Sequence, residues 1–214
     1  MIFLTWNIQS GGGNRINNIS KTLLDYNADV IVLTEFRSSK EAMLNKELQI
    51  AYPYIANSNP EKTENGLMIA SKYPFKVKNP GIDIDKGRWL NIYFDQLDLF
   101  VLAVHIPGAP DHKFDKNGAG ISGEKRKEIF WNFVFDYAEH QKNIRTLIIG
   151  DLNTGLREDA EGAMFKHPHF IKILKISVIL IPGETLIRAK ETIGTSAKVS
   201  NVFFVLYQPL FFCL

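Results

Sequence analysis

The chain of 214 residues is 45% hydrophobic and 22% charged with a mean hydropathy of −0.08, ordinary values for one soluble globular domain. A formal net charge of +2 gives little global pull toward polyanions, so composition alone does not mark a nucleic-acid binder. The single cysteine, Cys213, excludes an intramolecular disulfide and fits a reducing, cytoplasmic setting.

The first predicted element is a strand over residues 2–8, rich in branched and aromatic side chains but carrying a carboxamide, Asn7, near its end. No basic residue precedes this run and Asn7 interrupts it, so a signal peptide is not expected. A Gly11-Gly12-Gly13 turn follows; beside Asn7 it could admit a substrate backbone or be simply a turn. Next comes a helix over 15–26, with Ile16, Ile19 and Leu23 as its apolar stripe and Asn14 as its cap. Residues 29–37 form a continuous apolar run of buried-strand type that closes on Glu35. Arg37, just beyond, could meet a phosphate or pair with a neighbouring carboxylate, and the sequence leaves the two readings level.

A helix near 40–50 and strands over 66–71 and 88–94 come next, the last alternating apolar and polar as a half-buried strand should. Residues 98–108 form a further strand that carries His105 immediately before a Pro107-Gly108 break. An amphipathic helix is predicted over 125–139 with Ile129, Phe133 and Tyr137 on its apolar face. Lys113, Lys116, Lys125, Arg126 and Lys127 read as a solvated loop and helix start, the Asp111-His112 pair as solvated loop, and Trp6, Trp89 and Trp131 as packing residues.

The most informative segment is 148–155, Ile-Ile-Gly-Asp-Leu-Asn-Thr-Gly, an apolar strand ending abruptly in a turn with a carboxylate and a carboxamide two residues apart. If strand alternation persists through the turn, Asp151 and Asn153 face one side, the first able to hold a water or metal ion and the second to donate to an anionic oxygen. Taken alone, the same letters make an ordinary turn. Repetition decides between the readings, because the other strands end in Asn7, Glu35 and His105.

In their order, Thr-Trp-Asn, Leu-Thr-Glu-Phe-Arg, Val-His-Ile-Pro-Gly and Gly-Asp-Leu-Asn resemble the endonuclease/exonuclease/phosphatase superfamily over about residues 1–170, in its bacterial nuclease-like branch. The resemblance implies an α/β fold of two sheets packed as a sandwich and flanked by helices, the four-layer α/β/β/α arrangement called DNase I-like. It implies a magnesium ion, with manganese as the substitute, held by Glu35 with Asn7 beside metal and phosphate. Asp151 would align or deprotonate the attacking water, His105 and Asn153 would contact the scissile phosphate, and Asn65 and Arg88 would line the cleft rim. The substrate implied is a phosphodiester, foremost in a nucleic acid; a phosphomonoester or a lipid headgroup is the alternative, since fold and metal serve all three. The chemistry is coherent, because a phosphodiester is a stable anion whose charge must be neutralised before hydroxide attacks, and magnesium needs only one or two carboxylates.

The tail departs from the resemblance. Relatives finish with Ser-Asp-His, but here no aspartate follows Asp159 and no histidine follows His169. The expected organisation is thus one domain, 1–214, with an atypical tail over 171–214 such as an altered reading frame would produce. Turnover is expected to be impaired, or absent in a remnant that still binds metal and phosphate. The second sheet is expected to be incomplete, leaving an edge prone to self-association. The apolar stretch from Phe203 is about half of the roughly 20 residues a membrane helix needs, and Pro209 interrupts it.

Overall fold

The computed structural model describes residues 1–79, 81–82, 84–108, 110–114, 120–154, 167–171 and 205–207. In chain order the elements are β1 (Phe3–Asn7), α1 (Ile16–Tyr26), β2 (Val30–Phe36), α2 (Glu41–Leu48), β3 (Tyr54–Asn57), β4 (Gly66–Ser71), β5 (Lys76–Lys78), β6 (Trp89–Phe94), β7 (Leu99–His105), β8 (Lys113–Phe114), β9 (Gly120–Ile121), α3 (Gly123–His140), β10 (Thr146–Asp151) and β11 (Val205–Tyr207). They divide between two units. Among the described residues, the first holds Met1–His105, Thr146–Asp151 and Val205, and the second holds Ile106–Arg145, Leu152–Thr154, His167–Ile171 and Leu206–Tyr207.

Within the first unit, β1 and β2 lie parallel because α1 carries the chain back between them; α2 likewise precedes β3, and β4 then runs antiparallel to both β2 and β3. This gives a sheet in the order β1-β2-β4-β3. The second sheet runs β11-β10-β7-β6-β5, with β10 parallel to β7 and the β7-β6 and β6-β5 pairs antiparallel. The fold is therefore α/β, two mixed sheets plus helices, as expected.

Apolar side chains on both faces of β2 explain the layering. Ile31 and Leu33 pack with Ile16, Ile19 and Leu23 of α1 and Leu44 and Leu48 of α2. Val30 and Val32 turn the other way and pack with Leu67, Ile69, Leu90, Ile92, Val101, Ala103, Leu147 and Ile149, a core between the two sheets. Each such fully buried aliphatic side chain stabilises the fold by about 1.5–3 kcal/mol, so the strand ends are anchored by the most rigid part of the unit.

Several details differ from expectation. Asn14 does not cap α1: it lies inside a preceding 3-10 segment, Ser10–Arg15, and the helix starts without any side-chain cap. The buried face of α3 is Arg126, Lys127, Phe130, Trp131, Val134 and Ala138 instead of Ile129, Phe133 and Tyr137. Apolar residues surround this helix, so their spacing does not single out one face, and the face chosen includes two cations. Arg126 and Lys127 are thus buried, not solvated, while Lys113 and Lys125 are exposed and Lys116 lies outside the described residues. The three tryptophans are packing residues; Trp89 and Trp131 are buried and Trp6 packs against the helix-side core. Of the tail, only the strand Val205–Tyr207 is described, next to β10 in the order of the second sheet. No described helix is long and apolar enough to cross a membrane.

Candidate active site

The core between the sheets ends in polar residues, and strand alternation selects them. On β1 the inward phase that begins at Phe3 reaches Asn7; on β10 the phase of Leu147 and Ile149 reaches Asp151; on β7 that of Val101 and Ala103 reaches His105. Counting backwards, Leu67 and Ile69 place Asn65 in phase just before β4, and Leu90 and Ile92 place Arg88 in phase just before β6. One rule, every second residue, thus gathers five of the seven residues expected in the site.

Glu35 breaks the rule and reaches the site by another device. Plain alternation would send it, like Ile31 and Leu33, toward the helices. Instead the β2–β4 register shifts between Thr34 and Phe36, and Glu35 takes φ of +56°, a β-bulge with a left-handed residue. Phe36 then fills the helix-side core and Glu35 meets Asn7. A non-glycine residue in this conformation costs about 1–2 kcal/mol, strain of the sort that functional sites retain.

Asn7 is the centre of the arrangement. Its Nδ2 donates to Glu35 Oε1 at 3.0 Å and to Asp151 Oδ2 at 2.7 Å, so one amide nitrogen joins a carboxylate from each sheet. Its Oδ1 accepts from Gln9 N at 2.9 Å, which fixes the amide with nitrogen toward the carboxylates. Asn7 therefore spaces the two anions, with its Oδ1 turned to the Gln9 backbone. Glu35 Oε2 accepts from Ser10 N at 2.7 Å and from Asn65 Nδ2 at 3.3 Å. Asn65 in turn accepts from Arg37 Nε at 3.0 Å, so Arg37 pairs with a carboxamide through Nε.

Ser10 was not expected here. It belongs to a run of positive φ from Gln9 to Gly13, and the glycine triplet was the visible sign of a backbone that bends this way. Gly11 needs its bare Cα, because a Cβ there would press on the Arg37 stem at 3.1 Å.

His105 and Asp151 are opposite one another in the β7–β10 register and both are buried. Arg88 Nη1 lies 3.3 Å from His105 Nδ1 and 3.5 Å from Nε2, and also donates to the His105 carbonyl at 3.4 Å. Ring lone pairs diverge, so one nitrogen near both means that the guanidinium lies against the imidazole face.

Asn153 belongs to the second unit. The strand stops at Asp151 and Asn153 takes φ of +46°, so alternation does not run through the turn. Its Nδ2 donates to the Ile106 carbonyl at 2.6 Å, and its own carbonyl accepts from Lys127 Nζ. Asp111 likewise is no free solvated residue, since Oδ2 accepts from Gly108 N at 3.0 Å.

The chain resembles known proteins in the same sense. Solved structures similar to it include an AP endonuclease from Archaeoglobus fulgidus, with a TM-score of 0.67, 13% identity, and 94% of this chain and 84% of that one covered. Another is a 3' phosphatase from Neisseria bound to a product DNA hairpin, with a TM-score of 0.65, 14% identity, and 95% and 86% covered. At these identities the likeness is one of fold. A G8 domain-containing protein of Dictyostelium discoideum is 27% identical over 111 residues, 49% of this chain. The chain spans 7% of that relative's length and 16% of another from the same organism. The model of the Endonuclease/Exonuclease/phosphatase family matches residues 4–160, the span that includes every strand end described above, and the chain belongs to that family.

Proposed function

We propose that the chain is a metal-dependent phosphodiesterase acting on nucleic acid in an endonuclease-like manner. The observation that carries this is the single Asn7 amide joining Glu35 of one sheet to Asp151 of the other. Two carboxylates drawn to one amide nitrogen repel each other, a cost that a divalent cation would turn to attraction. Among the described residues no group of three or more His, Cys, Asp or Glu side chains is placed to hold a metal. Two carboxylates suit magnesium in kind, because it keeps several waters, and each oxygen holding an Asn7 bond has a second lone pair. Glu35 would hold the ion with Asp151 next to it. When bound, magnesium would supply charge neutralisation at the phosphate and a more acidic water.

The side chains divide the remaining work. Asn7 holds Asp151 and Glu35 in fixed orientation, and Asp151 accepts the proton of the attacking water. Arg88, half-buried over the ring of His105, donates to a phosphate oxygen, with His105 supporting it from beneath. Asn153 offers its second amide hydrogen to the scissile phosphate. Arg37 has its Nε held by Asn65 and can present the rest of the guanidinium to a flanking phosphate, which suits a polynucleotide. The lone cysteine supports a cytoplasmic setting.

One panel tests the reading: plasmid DNA, an abasic duplex, a 3'-phosphorylated oligonucleotide and a chromogenic phosphodiester, each with magnesium and with chelator. Cleavage of the polynucleotides only with magnesium is expected. Chelator-resistant turnover would overturn the metal assignment, and release of phosphate from the 3' end alone would make the chain a phosphomonoesterase. Turnover is expected to be low, since no Asp-His pair follows Asp159 in this chain. Grafting a Ser-Asp-His terminus should raise kcat about 100-fold, the usual effect of one preorganised donor or acid, and no gain would refute the impairment.

A further inference from the structure

The second unit contains two consecutive buried cations that the proposed chemistry does not use. Arg126 is 7% exposed and Lys127 is 2% exposed, both in the first two turns of α3. A helix start is the positive end of its dipole and favours acidic residues, and a buried ammonium is costly unless hydrogen-bonded. Their acceptors explain the placement. Arg126 Nη1 donates to the Asp111 carbonyl at 3.2 Å, in the loop that follows β7, and Lys127 Nζ donates to the Asn153 carbonyl, in the loop that follows β10. The Asn153 amide then crosses to the Ile106 carbonyl and ties the second loop to the first. Asp111 closes the first loop on itself by accepting from Gly108 N.

We propose that this start of α3 is a clamp on the two loops, and that Lys127 is a positioning residue for Asn153. The hold fits Asn153, whose left-handed backbone asparagine tolerates and whose carbonyl faces the ammonium. Part of the inference rests on the proposed function, namely that Asn153 contacts the phosphate.

Lys127→Met keeps the aliphatic stem and removes Nζ, whereas Lys127→Arg keeps a donor. Hydrogen exchange in the full chain reads the clamp without reference to activity. In Lys127→Met, the amides of Ile106, Gly108, Asp111, His112 and residues 152–154 should exchange about 10-fold faster while those of β2 and β7 keep wild-type rates, the pattern of local opening. Unchanged loops, or acceleration everywhere, would overturn the clamp. Steady-state kinetics reads the positioning role. Lys127→Met should lower kcat about 10-fold at constant KM, Lys127→Arg should restore most of it, and in an Asn153→Ala background Lys127→Met should cost less than about 2-fold. Additive losses would show that Lys127 does not act through Asn153. A wild-type chain without hydrolysis of any substrate would count against the proposed function, leaving the clamp to be decided by exchange.

Discussion

Glu35→Gln and Asp151→Asn should each reduce magnesium-dependent hydrolysis by about 1000-fold or more, the largest functional effect the site predicts. Either change deletes a negative charge from a pair that faces one amide nitrogen, and with it half the electrostatic reason for a divalent cation to bind. Stability should move much less. Gln at 35 has one acceptor oxygen where the carboxylate accepts from Asn7, Ser10 and Asn65 through two, so an NH2 group meets at least one donor at a cost of about 1–3 kcal/mol. Against that, the mutual repulsion of the two carboxylates is relieved. The two terms oppose each other, and the melting temperature should stay within about 5 °C of wild type. Initial rates over a magnesium titration, with thermal melts of the same samples, check both halves. Wild-type turnover by either variant under limiting metal would remove Glu35 and Asp151 from the site.

Sequence made the strand ends legible because the chemistry sits where an apolar period stops. Asn7, His105 and Asp151 could be picked out as polar residues closing apolar runs, and the structure brings Asn7 and Asp151 into contact. Asn65 and Arg88 were harder, since each lies just before a strand starts, yet the same two-residue phase places them at the same end of the core. Glu35 was named for its position in a run, but the means by which it arrives, a bulge at φ of +56°, depends on β4 pairing 30 residues later and leaves no local sign. Whether alternation persists beyond Asp151 is likewise not legible locally, because the partners of Asn153, Lys127 and Ile106, are remote in sequence. The buried face of α3 failed because apolar residues lie all round that helix, so period carried no information and two buried cations could not be foreseen.

Gly150→Ala is expected to be the most destabilising small substitution in the first unit. Gly150 is inside β10, paired in register with Val104 of β7. Its φ is +136°, and a Cβ built there would lie 2.0 Å from the Val104 carbonyl oxygen and 3.0 Å from its carbon. Backbone of a central strand cannot yield as a side chain would, so β10 must slide or tilt, and the pairs Ile149–Ala103 and Asp151–His105 on either side separate. The loss should be about 4 kcal/mol or more, and the melting temperature should fall by about 10 °C. Gly13→Ala is the matched control, because Gly13 also has positive φ, +53°, but nothing lies within 4 Å of its Cβ position. That variant isolates the backbone term, about 1–3 kcal/mol for a Cβ at φ of +53° and ψ of −130°. Equal losses in the two melts would mean that β10 does not approach β7 as closely as described. A larger loss at Gly150, with activity falling further than the folded fraction accounts for, would show that the same close approach that needs a glycine also sets Asp151 against His105.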